Sequence, residues 1–238
     1  LMVISSSKAK KIDNDEIRKY YFRNILFKFG CALAFSLVYL IYYGGGDTTA
    51  YWDGAISLNK LFFHSPSDYF QHLLSEPTAA LKSLHFNIDT GYPPGWIYRE
   101  PEAWFICKLA SIVSIFTFRS YFAGTLIFAY LTARASWRVF ELVVKLKTHT
   151  IPIAAVCILF IPSVSFWCTG ISKDTVIYFS ILNLIYFSLN NIWRDKNMSN
   201  KEFKNLNNFY WFFSLDLKSS KPTTQSVIKN WIDYNYKY

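Results

Sequence analysis

The 238-residue chain has only four cysteines, Cys31, Cys107, Cys157 and Cys168, and no two form a C-x-x-C pair. That spacing excludes a zinc ribbon and offers no disulfide framework. Three of them sit inside apolar runs, where a free cysteine behaves as a small hydrophobe. His64, His72 and His85 lack ligand spacing, so no metal site is expected. A nucleotide loop is missing as well: "YYGGGDTT" lacks the Gly-Lys-Ser/Thr ending that cradles phosphates. The net charge is +9, yet no basic stripe interleaved with stacking aromatics is present, which argues against a nucleic-acid partner. No small-x-small cleavage site follows the first apolar run, and that run is longer than a signal core. It is expected to stay in place.

Apolar residues are abundant: 52% of the chain is hydrophobic and 20% aromatic. Soluble domains reach about 45–50% only when glycine is counted in. The excess lies in long runs, which points to an integral membrane protein and an all-α fold. "NILFKFGCALAFSLVYLIYY" (24–43) is long enough to cross about 30 Å of hydrocarbon. Lys28, near its start, is expected to snorkel to the headgroups, and Tyr39, Tyr42 and Tyr43 suit an aromatic belt. After it, "AYWDGAISLNKLFF" and "SPSDYFQHLLSE" read as amphipathic helices, the second with Ser65 as N-cap and Pro66 at its first position. "GYPPGW" reads as a turn. Residues 103–118 are just long enough to span, and can equally lie in the interface. Three further runs fill 120–193; the second, "TIPIAAVCILFIPSVSFW", is bounded by Pro152 and Pro162.

Charge orients these runs. Short cytoplasmic loops collect Lys and Arg. The N-terminus (Lys8 to Arg23), the Arg134–Lys147 region and the tail (Arg194, Lys196, Lys201, Lys204) are basic, whereas 44–102 is rich in acids. All three basic segments share a side if there are four spans and 103–118 does not cross. The expected organisation is a cytoplasmic N-terminus (1–23), a span (24–43) and an extracytoplasmic loop with juxtamembrane helices (44–119). Three spans (120–193) and a cytoplasmic tail (194–238) complete a polytopic helical protein of a bacterial inner membrane.

Two polar features then fall on the outer surface. One is Asp47 with Tyr51 and Asp53; the other is the turn Ser172–Lys173–Asp174. A carboxylate on one and a cation on the other can hold an acid–base step beside a phosphate. Each also has a plain structural reading. Glycines stop helices, an acid past a span sits in water at no cost, and Asp174 suits a helix N-terminus. Arg99–Glu100 reads as a surface pair.

The order of these features resembles the GT-C superfamily of polytopic glycosyltransferases, in particular its dolichyl-phosphate-mannose protein mannosyltransferase-like branch. Those proteins follow their first span with a large outer loop opening on Asp-x-x-x-Tyr or Asp-Glu-x-x-Tyr. Here "DTTAY" supplies Asp47 and Tyr51, with Thr48 in place of the second acid. Surface helices, a span with a basic aromatic end ("ARASWRVFELV"), a proline–aromatic turn ("FIPSVSFW") and a short polar connection ("TGISKD") follow in the family's order across residues 24–193. The resemblance implies an inverting transferase whose donor is a sugar on a polyprenyl phosphate. Asp47 would be the general base, its pKa raised by partial desolvation. Lys173 first, then Arg99, would stabilise the departing phosphate. Tyr51, Asp53 and Asp174 would contact substrate, with Asp53 orienting the acceptor or capping the loop helix. Some related enzymes use a divalent cation. Family members carry more spans, so the chain is expected to be an N-terminal portion, or a small relative that works with a larger membrane partner. The competing expectations are a non-catalytic accessory subunit of an envelope complex and a polymerase- or flippase-type component.

Overall fold

The computed structural model describes residues 12, 14–146 and 151–193. Residues 1–11, Lys147 and the tail from Arg194 onward, on which part of the charge argument rests, lie outside the described residues. Among those described, the chain forms nine α-helices and no strand: α1 (Asp15–Leu37), α2 (Asp47–His64), α3 (Pro66–Leu74), α4 (Ala79–His85), α5 (Pro101–Phe116), α6 (Tyr121–Leu146), α7 (Ile151–Leu159), α8 (Pro162–Trp167) and α9 (Lys173–Trp193). A 3-10 turn at Ile97–Arg99 precedes α5.

Local chemistry sets the limits of α1. The Asn14 side chain accepts the Glu16 N–H at 2.8 Å and the Ile17 N–H at 3.3 Å, capping the helix, and Asp15 and Glu16 favour its positive end. At the other end α1 widens into a π-turn, Val38–Tyr42, and the chain then passes through Gly44, Gly45 and Gly46 at φ 65°, 136° and 144°. Only glycine takes these values without strain. The glycines therefore end one helix and let α2 start four residues after Tyr43, at Asp47.

Helix α1 buries apolar Tyr21, Ile25, Ala32 and Phe35, yet many of its other apolar side chains face outward while polar ones are enclosed. Its apolar Phe22, Leu26, Leu33, Leu37 and Leu40 are exposed, while its polar Asn24, Lys28 and Ser36 are buried. Elsewhere Ile153 and Val156 on α7, and Ile177, Ile181 and Leu184 on α9, are exposed, whereas Thr132 and Ser136 on α6 and Asn183 on α9 are buried. Water favours the opposite distribution. Lys28 does not snorkel: it is 1% exposed, its Nζ donates to Ser165 Oγ at 2.8 Å, and it sits 5.3 Å from the centre of the Tyr178 ring. The reason is tertiary, because α8 folds back onto α1 and supplies both a hydroxyl and shelter.

Two main cores follow the chain. One joins α2, α3, α5 and the 3-10 turn around Tyr51, Trp52, Leu58, Tyr69, Tyr98 and Trp104. The other joins α1, α6 and α7 around Tyr21, Ile25, Trp137, Phe140 and Leu159. Helix α6 contributes Phe128 to the first and Ala133 to Val144 to the second, so it runs through both. Helix α5, the segment expected beside the membrane, buries Ala103, Trp104, Ile106 and Cys107.

Among the described residues, one helix can cross a membrane by length and composition, the continuous 28-residue stretch Asp15–Tyr42. A second qualifies if α5 and α6, bent by 111°, form one broken span. The sequence pattern predicts four. The difference is plainest at 151–167, where the expected span is two short helices. Pro162 lacks the N–H needed to continue α7 and instead opens α8.

Candidate functional site

The end of α1 meets the starts of α2, α6 and α9. Thr48 Oγ1, in the first turn of α2, shares a 2.9 Å hydrogen bond with the hydroxyl of Tyr121, the first residue of α6. Gly170, just before α9, packs so closely on Phe35 of α1 that a Cβ there would lie 2.1 Å from the ring. Ser172 Oγ then accepts the Thr175 N–H at 3.2 Å and caps α9. Helix starts carry unpaired N–H groups and partial positive charge, which here are met by the acids in the first turns of α2 and α9, Asp47 and Asp174.

Asp47 is the first residue of α2 and is exposed. The burial expected to desolvate it is therefore absent in the free chain. Tyr51, one turn further on, is buried, with its ring 6.3 Å from that of Trp96. Burial pushes the Tyr51 hydroxyl well above the usual tyrosine range, and the charges of Asp47, Glu100 and Asp174 add to that. It remains a protonated hydrogen-bond donor. Asp174 lies exposed in the first turn of α9. Asp47 and Asp174, 127 positions apart by their numbers, thus both act on one hydroxyl. Lys173 Nζ donates to Glu100 Oε2 at 3.3 Å. Glu100 therefore bonds across the fold to α9, rather than to its neighbour Arg99.

Two expected residues stand elsewhere. Asp53 lies inside α2, six residues past Asp47, so it does not cap the helix and occupies another face. Burial raises its carboxyl above the usual range, and Cys107 of α5 is within electrostatic reach. Arg99 lines a cavity of about 550 Å³ with Pro77, Ala79, Lys82, Gly95 and Tyr98. None of Asp47, Lys173 or Asp174 lines it.

A chain of polar contacts beside this cavity is absent from the sequence reading. His85 Nδ1 and His72 Nε2 are 3.1 Å apart, the Tyr98 hydroxyl is 3.5 Å from His72 Nδ1, and Asp68 Oδ1 is 3.8 Å from His85 Nε2. The two histidines are 13 residues apart on different helices, and no periodic spacing announces the pair. The one local signal is the four-residue step from Asp68 to His72 on α3. Among the described residues no group of three or more His, Cys, Asp or Glu is placed to hold a metal ion. No family model matches the chain, and no curated protein and no solved structure matches it either.

Proposed function

We propose that the chain is a membrane glycosyltransferase that moves a sugar from a polyprenyl-phosphate donor to an acceptor hydroxyl on the extracytoplasmic side. In this reading the helices form a four-span polytopic bundle in a bacterial inner membrane, both termini are cytoplasmic, and α2 to α5 make the outer loop. The exposed apolar side chains of α1, α7 and α9, with the buried polar ones of α1, α6 and α9, support the membrane assignment. The charge distribution supports the orientation. Arg134 binds the Tyr21 hydroxyl near the start of α1, and Arg138 reaches Asn183. Asp47, Glu100 and Asp174 gather at the opposite end of α1.

What supports the catalytic reading is that Asp47 and Asp174, at the starts of α2 and α9, both lie within electrostatic reach of the Tyr51 hydroxyl. Asp47 accepts the proton of the acceptor hydroxyl as that oxygen attacks the anomeric carbon. The bond from that carbon to the phosphate oxygen breaks, its electron pair leaves with the lipid phosphate, and the configuration inverts. Lys173 stabilises the departing charge. Bound lipid and acceptor supply the desolvation that Asp47 lacks when free. Tyr51 donates a hydrogen bond to substrate.

The test is sugar transfer by the purified chain in lipid, given a polyprenyl-phosphate sugar. Transfer should appear and Asp47→Asn should abolish it. Full activity in that variant removes Asp47 from the role. No transfer by the wild type, together with co-purification of a larger membrane protein, favours an accessory subunit.

A further inference from the structure

The cavity between α4 and the 3-10 turn is not used by the proposed chemistry. Its wall carries two cations, Lys82 and Arg99. Several cations elsewhere in the described chain are paired: Arg18 with Asp15, Lys145 with Glu141, Lys173 with Glu100, Arg119 with Asn59 and Lys28 with Ser165. Among the described residues, Arg99 has no side-chain hydrogen bond or ion pair. Lys82 has only the Tyr98 ring, with Nζ 5.6 Å from its centre. Two unneutralised cations on one concave wall await an anion.

The wall between them is fixed in advance. Tyr98 is 4% exposed, and its hydroxyl sits 3.5 Å from His72 Nδ1. His72 is itself held by His85. A consistent direction runs along the chain: Tyr98 donates to His72, His72 to His85, and His85 toward Asp68. Tyr98 also packs on Trp104 at 4.5 Å between ring centres. A ligand therefore meets an ordered surface, which lowers the cost of binding. The volume of about 550 Å³ exceeds what a lone inorganic anion fills and lies within the range of small-molecule sites. Arg99 immediately precedes Glu100, so the cavity shares the Ile97–Arg99 turn with the Asp47 corner.

We propose that this cavity is a subsite for an anionic saccharide, with Lys82 and Arg99 holding a carboxylate or phosphate on the sugar. Its role as an acceptor subsite rests on the glycosyltransferase reading; the binding itself does not. Arg99 makes a planar two-point contact with the oxyanion, and Lys82 supplies a point charge. Pro77 and Ala79 supply the apolar part of the lining beside them.

The full chain in zwitterionic lipid nanodiscs is titrated by calorimetry with an oligogalacturonate, the matching neutral oligosaccharide and inorganic phosphate. The acidic oligosaccharide should bind and weaken as salt rises. The neutral one should not bind, and phosphate should compete only weakly. Lys82→Gln with Arg99→Gln should weaken binding about tenfold or more at an unchanged melting midpoint. Arg99→Lys should retain part of it. Equal binding of the neutral sugar overturns the proposal. So does phosphate binding as tightly as the acidic sugar, or undiminished binding by a folded double variant. Asp47→Asn should still bind. Binding without any transfer by the wild type sinks the transferase reading and leaves the subsite. Asp47-dependent transfer without acidic-sugar binding sinks the subsite alone.

Discussion

The ammonium of Lys173 stands 3.3 Å from a carboxylate oxygen of Glu100, 73 residues earlier in the chain. Both side chains are well exposed, so the pair contributes about 0–1 kcal/mol. Its importance is to occupancy: while Glu100 holds Lys173, the cation is shared. Glu100→Gln should shift the melting midpoint by no more than about 2–4 °C and raise affinity for the lipid-linked donor. Lys173→Met should lower that affinity. Titrating donor against both variants checks this, and a Glu100→Gln protein with weaker donor binding would contradict it.

Lys28 makes an opposite demand on the fold. Lys28→Ala removes the Ser165 bond and leaves a void, at a cost of about 2–4 kcal/mol. Lys28→Met keeps the volume and removes a desolvated charge, so it should match or exceed the wild type. Denaturation midpoints in detergent separate the two. If Met is as damaging as Ala, the ammonium itself holds α8 in place.

Gly170 leaves no room for a methyl group. Phe35 is 1% exposed and packs edge-on to Phe166 and Trp167 at 5.6 and 6.2 Å, so its ring cannot retreat. Gly170→Ala should destabilise by about 1–3 kcal/mol and loosen the start of α9. Adding Phe35→Leu should recover part of the loss, measured as non-additivity in a double-mutant cycle.

His72 gives the packing of α3, α4 and α5 a pH dependence. Burial above all, then His85 and Lys108, hold its imidazole down to about 4, with Asp68 pulling weakly the other way. Asp68 reaches it from α3, His85 from α4, Tyr98 from the 3-10 turn and Lys108 from α5. An unfolded histidine titrates near ~6.5. Above that pH both states are neutral and nothing is lost. Between about 6.5 and 4 the unfolded chain binds a proton that the native one refuses. Stability then falls as pH drops, by up to about 1.4 kcal/mol per unit. His72→Gln should flatten this part of a midpoint-against-pH curve; an equally steep curve in the variant assigns the effect to other groups.

The sequence makes the longest features readable. The run 24–43 falls within α1 and its π-turn up to Tyr42, the glycines follow, and Pro66 opens α3 as expected, although the Ser65 side chain makes no capping bond. Helix α2 begins at Asp47, three residues before the amphipathic pattern does. What stayed hidden depends on partners far along the chain. Lys28 reads as a snorkelling lysine because Ser165 is 137 residues away. Glu100 reads as the partner of Arg99 because adjacency is visible and the fold is not. The His72–His85 pair depends on how the 75–78 connection turns, which no periodicity encodes.

The buried polar stripe of α1 has one more consequence. A helix apolar on every side has no preferred rotation about its axis in lipid. Asn24 donates to the Ala133 carbonyl at 2.9 Å and Lys28 to Ser165 at 2.8 Å, one turn apart on the same face. In the proposed membrane placement, a half-turn of α1 would aim an ammonium at hydrocarbon, which costs about 2.5–3.5 kcal/mol. Asn24 and Lys28 thus act as an azimuthal key, and the same key fixes the direction in which Asp47 emerges at the far end.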